Sequence, residues 1–198
     1  TYPYPEAGSY ILLTFDGQKE SVEANAAHIR SLALQNGALD YLLLTDKQQE
    51  VGIWKVRGAL VKAVEAVSEQ EPVDIVVPID RTAEYIQYIN ELEEHSGMQM
   101  VSFGHAGDGN VHLCVVRGDR EEDTWKKELY ENMDKAYHKA YELGGVTSGE
   151  HGIGVTKRRY FLRETAPENL QVMNAIKDAL DPEHILNDQK SYIEKERS

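Results

Sequence analysis

The stretch Val101-Ser102-Phe103-Gly104-His105-Ala106-Gly107-Asp108-Gly109-Asn110-Val111-His112 restricts what this chain can fold into more than any other. Val101, Phe103 and His105, and then Val111, Leu113 and Val115, alternate with the period of two strands. Between them Ala106-Gly107-Asp108-Gly109-Asn110 supplies glycines that accept positive φ, so the spacing predicts a hairpin with a five-residue loop. In one unbroken strand His105 and His112, seven apart, would point to opposite faces. Folding back at Gly107-Asp108-Gly109 brings both to one end and one side. Two neutral imidazoles plus one carboxylate form a common set for a catalytic divalent metal with a position left open. Glu150, within Gly149-Glu150-His151-Gly152-Ile153-Gly154, is the natural third ligand. From pattern alone, two polar residues capping a hairpin, and an ordinary exposed acid, explain the same three positions. Asp108 and Asn110 read as turn formers, because their side chains bond to nearby backbone.

The rest of the chain alternates strands and helices. Tyr10 to Phe15 reads as a strand closed by Asp16-Gly17, and Val22, Ala26, Ile29 and Ala33 as a helical stripe ending near Gly37. Asp40 to Leu44 reads as a second strand, followed by Thr45-Asp46-Lys47-Gln48 with capping-box spacing and a helix through Trp54 and Leu60 to about Val67. Val73 to Pro78 is the third strand. Asp80 is the expected N-cap of a helix carrying Tyr85, Ile86, Ile89 and Leu92 and stopped by Gly97. Beyond the hairpin, Trp125 to Leu143 marks a long helix ended by Gly144-Gly145, and Pro167 opens another that Asp181-Pro182 stops. A hairpin forces antiparallel pairing, so the expectation is an α+β fold with helices on one face of the sheet and additional C-terminal helices. The chain reads as one domain over residues 1–198.

Charge and cysteine content narrow the function classes. With 21 Lys+Arg against 34 Asp+Glu, the net charge of -13 argues against nucleic acid or an anionic membrane as partner. An anionic substrate would need a locally basic pocket. The single cysteine, Cys114, excludes an internal disulfide, and no 18-residue apolar run is present, which favours a reducing, cytoplasmic setting. Residues Gly149 to Gly154 have the outer spacing of a phosphate loop, but Val155 stands where Lys is required, so this is not a nucleotide motif.

Three motifs carry a resemblance. Gly104-His105-Ala106-Gly107-Asp108-Gly109-Asn110-Val111-His112, Ser148-Gly149-Glu150-His151-Gly152-Ile153-Gly154 and Leu180-Asp181-Pro182-Glu183-His184-Ile185-Leu186-Asn187 resemble, in this order, the C-terminal domain of FAD-linked oxidases. That family includes glycolate oxidases of the GlcD type, D-lactate dehydrogenases and D-2-hydroxyglutarate dehydrogenase. The resemblance implies a ferredoxin-like sheet and a divalent metal, Zn or Mn, on His105, His112 and Glu150. It marks His151 as the base, and histidine titrates close enough to neutral pH to take a proton; a surface histidine in a glycine-rich turn is the plainer explanation. Arg57 falls where the family places a substrate-binding arginine, and Lys157 could face an anionic ligand. Asn110, Gly152 and Asn187 would lie near the cofactor.

The implied reaction is oxidation of a D-2-hydroxy acid to a 2-oxo acid, with hydride passing to FAD. The FAD-binding domain, which the family carries in the same polypeptide, is the expected partner, and this chain alone is expected to be catalytically silent. Electron-transfer flavoprotein and an iron-sulfur protein are further implied partners. Where some members carry a lysine shortly before the third strand, for a second substrate carboxylate, this chain has Glu71-Pro72-Val73-Asp74. Where some dicarboxylate-specific members carry asparagine two residues past the second histidine, it has Cys114. Both departures point to a small monocarboxylate such as lactate or glycolate. Leu186-Asn187-Asp188-Gln189-Lys190 departs from the family's Asn-Pro-Gly-Lys ending and its contact with the flavin domain. Two other classes fit the residues: a stand-alone metallohydrolase using the same ligands, and a non-catalytic ferredoxin-like interaction module.

Overall fold

The computed structural model of the chain describes residues 8–187; the departure at Asp188-Gln189-Lys190 lies outside them. The chain falls into two compact units, residues 1–58 and 59–198.

The first unit is built on α1 (Lys19–Gln35) and α2 (Lys47–Gly58). The helical stripe from Val22 to Ala33 is realised in α1, which gives way at Asn36 and at Gly37 with φ +87°. Asp46 rather than Thr45 starts α2: its carboxylate accepts the amide of Gln48 at 2.9 Å. The runs Tyr10 to Phe15 and Asp40 to Leu44 are not strands. Alternation favours an extended chain, but a strand also needs a neighbouring edge to bond to, and neither run enters a ladder. The helix expected to reach Val67 breaks instead after Gly58, whose freedom makes it a poor helix former.

The second unit begins with α3 (Leu60–Glu65) and then alternates β1 (Gln70–Val76), a 3-10 turn (Ile79–Arg81), α4 (Thr82–Ser96), β2 (Met100–His105), β3 (Asn110–Val116), α5 (Glu122–Glu142), α6 (Arg158–Glu164) and α7 (Pro167–Leu180). Strand β1 starts earlier than Val73, taking in Pro72, which an edge strand tolerates. Asp80 sits in the 3-10 turn and Arg81 occupies the cap position of α4. Gly97 ends α4 in the left-handed conformation, and Pro167 opens α7, both as the sequence predicts. The sequence pattern does not reveal α6, because seven residues are too few for a periodic stripe to register.

The sheet has the order β1-β3-β2, with β3 antiparallel to both neighbours. Strands β1 and β2 are therefore parallel to each other and joined through α4, the split βαβ arrangement of ferredoxin-like folds. A fourth strand would lie on the outer edge of β1. Here that edge meets a single antiparallel bridge, Val76 to Val146, just after α5. The hairpin loop holds four residues rather than five, since Asn110 already belongs to β3. Asp108 accepts the Asn110 amide at 3.0 Å, the turn-forming role expected of it. Gly109, at φ +77°, is required twice over: a Cβ there would stand 1.9 Å from the carbonyl oxygen of Val77.

Alternation sorts the strands into two faces. Val73, Ile75, Val111, Leu113, Val115 and Met100 face Tyr85, Ile89 and Leu92 of α4 and Trp125, Met133, Ala136 and Tyr137 of α5 in one continuous core. Each fully buried aliphatic side chain there contributes about 1.5–3 kcal/mol. The fold is α+β, with α4 and α5 on that face. The opposite face carries the polar residues.

Candidate active site

On the opposite face the register sets Asp74 of β1, His112 of β3 and Phe103 of β2 side by side, and one pleat further Val76, Asn110 and His105. This is how the hairpin converts a seven-residue separation into proximity: the ring centroids of His105 and His112 lie 5.4 Å apart and nearly perpendicular. The loop after α5 returns across the same end of the sheet and delivers Glu150 and His151. Glu150 Oε1 stands 3.2 Å from His112 Nε2, 3.8 Å from His105 Nε2 and 3.9 Å from His151 Nε2. The donor atoms of His105, His112 and Glu150 all lie within 4.8 Å of one another. His151 stacks on His112 at 5.1 Å, with ring planes 14° apart.

Two nitrogens and one carboxylate oxygen converging from three chain segments form a donor set suited to Zn or Mn. His112 is the most enclosed member, its side chain 12% exposed, against 40% for His105, 55% for Glu150 and 50% for His151. Burial pushes the His112 imidazole pKa down, against the opposing pull of Asp74 and Glu150. A neutral ring is the form that can donate a lone pair to a metal. Its Nδ1 is buried without a hydrogen-bond partner, 3.7 Å from Asp74 Oδ1. A metal-binding histidine ordinarily turns its second nitrogen towards a carboxylate in this way.

Asp74 is the site residue that sequence reasoning missed. Its carboxylate is fully buried. One oxygen accepts the Ser148 hydroxyl at 2.7 Å and the backbone amides of Gly149, Glu150 and His151 at 3.1, 3.1 and 2.8 Å. Burial pushes the pKa of this carboxyl up, but the amides, the hydroxyl and the Lys157 charge together outweigh it and hold it well below the usual carboxylate range. The signal that marked it was an acid set within the apolar run Val73-Asp74-Ile75-Val76-Val77.

The other expected residues are placed as follows. Asn110 is buried and donates to Asp74 Oδ1 at 3.1 Å. Lys157 is 6% exposed, with Nζ 3.4 Å from Asp74 Oδ2 and 3.2 Å from the Ser148 hydroxyl, so its ammonium is turned inward as a countercharge. It also lines, with His151 and Gly152, an open cleft of about 380 Å³ beside Glu71 and Pro72. Gly152 adopts φ +76°. Asn187, at φ 50°, ends a segment fixed by Asp181, whose carboxylate accepts the amides of Ile185 and Leu186 at 3.1 Å each. Arg57 belongs to α2 in the first unit. Among the described residues no helix is long and apolar enough to cross a membrane.

The profile of the family described as "FAD linked oxidases, C-terminal domain" matches residues 2–191. The chain is 40% identical over 184 residues to a D-lactate dehydrogenase of Anaerostipes hadrus, covering 92% of this chain and 39% of that protein. It is 28% identical over 195 residues to glycolate oxidase subunit GlcD of Bacillus subtilis, covering 96% of this chain and 41% of that protein. It is 29% identical over 196 residues to a D-2-hydroxyglutarate dehydrogenase of Stutzerimonas stutzeri, covering 92% and 40%. The chain thus spans about two fifths of the length of these relatives.

Proposed function

The chain belongs to the family of C-terminal domains of FAD-linked oxidases, and from that premise we propose that it is the substrate-binding part of an FAD-dependent D-2-hydroxy-acid dehydrogenase. The observation that carries this reading is the meeting of His105 Nε2, His112 Nε2 and Glu150 Oε1 beside the His151 ring, on the sheet face that α4 and α5 leave open. His105, His112 and Glu150 would hold a divalent ion. When bound, that ion supplies Lewis-acid stabilisation of a developing alkoxide, and FAD, carried by the family's FAD-binding domain, accepts a hydride.

This chain's own residues bind, orient and move a proton. His151, with its ring half-exposed and its backbone fixed by Asp74, takes the proton of the substrate hydroxyl at a ring nitrogen. The stacked His112 ring restricts how His151 can swing. Arg57 is the candidate for the substrate carboxylate, because a guanidinium fork matches its two oxygens. Asn110, Gly152 and Asn187 are candidates for contact near the flavin. The cleft beside His151 is lined by Glu71, which disfavours a second carboxylate on the substrate, so a small monocarboxylate such as D-lactate or glycolate is the preferred class.

The test is anaerobic mixing of the full-length, FAD-loaded polypeptide with D-lactate, glycolate, D-2-hydroxyglutarate and L-lactate, read by bleaching of the flavin absorbance. Bleaching is expected with a D-2-hydroxy acid or glycolate, slowed about 10²–10⁴-fold in His151→Ala. Flavin that no 2-hydroxy acid bleaches would contradict the reading.

A further inference from the structure

Glu150 and His151 present a mechanical problem. Their side chains are more than half and half exposed, respectively, and they lie in a loop outside any helix or strand, yet both must keep a fixed aim. Nothing in the side chains' own packing supplies that, so the constraint must come through the backbone. The backbone of this loop is tied to one atom: Asp74 Oδ2 accepts from three successive amides, Gly149, Glu150 and His151, and from the Ser148 hydroxyl that precedes them. Three consecutive amides can share one acceptor only if the chain curls around it, which fixes the departure angle of each Cα–Cβ bond. Lys157 closes the arrangement from the other side of the loop. Gly149 makes it possible, since a Cβ there would stand 2.0 Å from Asn110 Nδ2.

We infer that Asp74 is a positioning residue that aims Glu150 and His151 at the face where His105 and His112 stand, by anchoring their amides from the middle of β1. The same carboxylate faces the buried His112 Nδ1 through its other oxygen and so also orients that ring. One side chain on the sheet thereby registers the loop half of the site against its strand half, the hairpin. The inference rests on the function proposed above, since it assigns those aimed groups their work.

The experiment uses the full-length, FAD-loaded polypeptide as the parent, with Asp74→Asn and Ser148→Ala as variants, assayed on D-lactate and glycolate. Beside the assay, metal-stripped protein is titrated with Mn²⁺, and hydrogen exchange is followed over residues 148–151. For Asp74→Asn the expected result is kcat lower by about 100-fold, KM within about threefold, a Mn²⁺ dissociation constant about 10-fold or more higher, and faster exchange at the Glu150 and His151 amides. A purely structural carboxylate would change the melting temperature without splitting kcat from KM. Asp74→Asn that folds with parental kcat and Mn²⁺ affinity overturns the inference. Should that variant not fold, Ser148→Ala decides: kcat about fivefold lower at unchanged KM supports the inference, and parental values overturn it. A parent that neither binds Mn²⁺ nor oxidises either acid would instead bring down the proposed function, and the inference with it.

Discussion

One face of the three-stranded sheet is hydrocarbon against α4 and α5; the other, made by the intervening residues of the same strands, carries Asp74, His112, His105 and Asn110. Val73 and Ile75 flank Asp74, and Val111 and Leu113 flank His112, so adjacent positions answer to different demands. The core face tolerates changes that preserve volume and hydrophobicity, because dispersion and burial are not directional. The polar face does not, because each group there is defined by the donors aimed at it. A packed core directly behind the site is what lets three side chains and one loop hold a common register.

The largest expected effect comes from deleting the anchor. Asp74→Ala leaves three amides, a hydroxyl and the buried Lys157 ammonium without their acceptor, and should cost about 3–5 kcal/mol in chemical denaturation. If the loss is below about 1 kcal/mol, the polar face is not held as described. Leu113→Ala, on the other face of β3, should cost about 2–5 kcal/mol through lost burial and a cavity. It sharpens the contrast if divalent-metal affinity survives in the folded fraction, since only the core face has been altered.

A third expectation concerns acid. The Asp74 carboxyl ionises more readily in the folded state, so its contribution to stability is complete above its unfolded value near 3.8 and fades as the pH falls below it. Denaturation midpoints followed from pH 6 to pH 2 should therefore drop less steeply below about pH 4 in Asp74→Asn than in the parent. Parallel curves would assign the acid sensitivity to other carboxylates. The smallest effect on stability is expected for His105→Ala, whose side chain is 40% exposed: a change within about 0.5 kcal/mol, with metal binding nonetheless sharply weakened. That combination separates function from folding on a single strand.

Much of the site was legible because its key residues sit in short-range patterns. The two imidazoles flank a glycine turn whose geometry follows from local chemistry, and Gly97 and Pro167 punctuate α4 and α7 as their backbone preferences dictate. Asp74 was not legible, because its partners lie 74 to 83 residues away and no local pattern announces them. The same holds for Lys157: a basic residue after a turn reads as solvated until the carboxylate beneath it is placed. The runs at Tyr10 to Phe15 and Asp40 to Leu44 show the reverse failure, where alternation is present in the sequence and pairing is not present in the fold. Period-2 patterning states a capacity for strand; a ladder needs a second edge.

The most direct test of the central claim is elemental metal analysis of the full-length protein after dialysis against Zn²⁺ or Mn²⁺, beside His105→Ala and Glu150→Gln. About one bound divalent ion per chain in the parent, and a sharp loss in both variants with melting temperatures preserved, is the result that the geometry of His105, His112 and Glu150 predicts. A parent that stays metal-free under titration with either ion, or variants that retain the parent's stoichiometry, would contradict it.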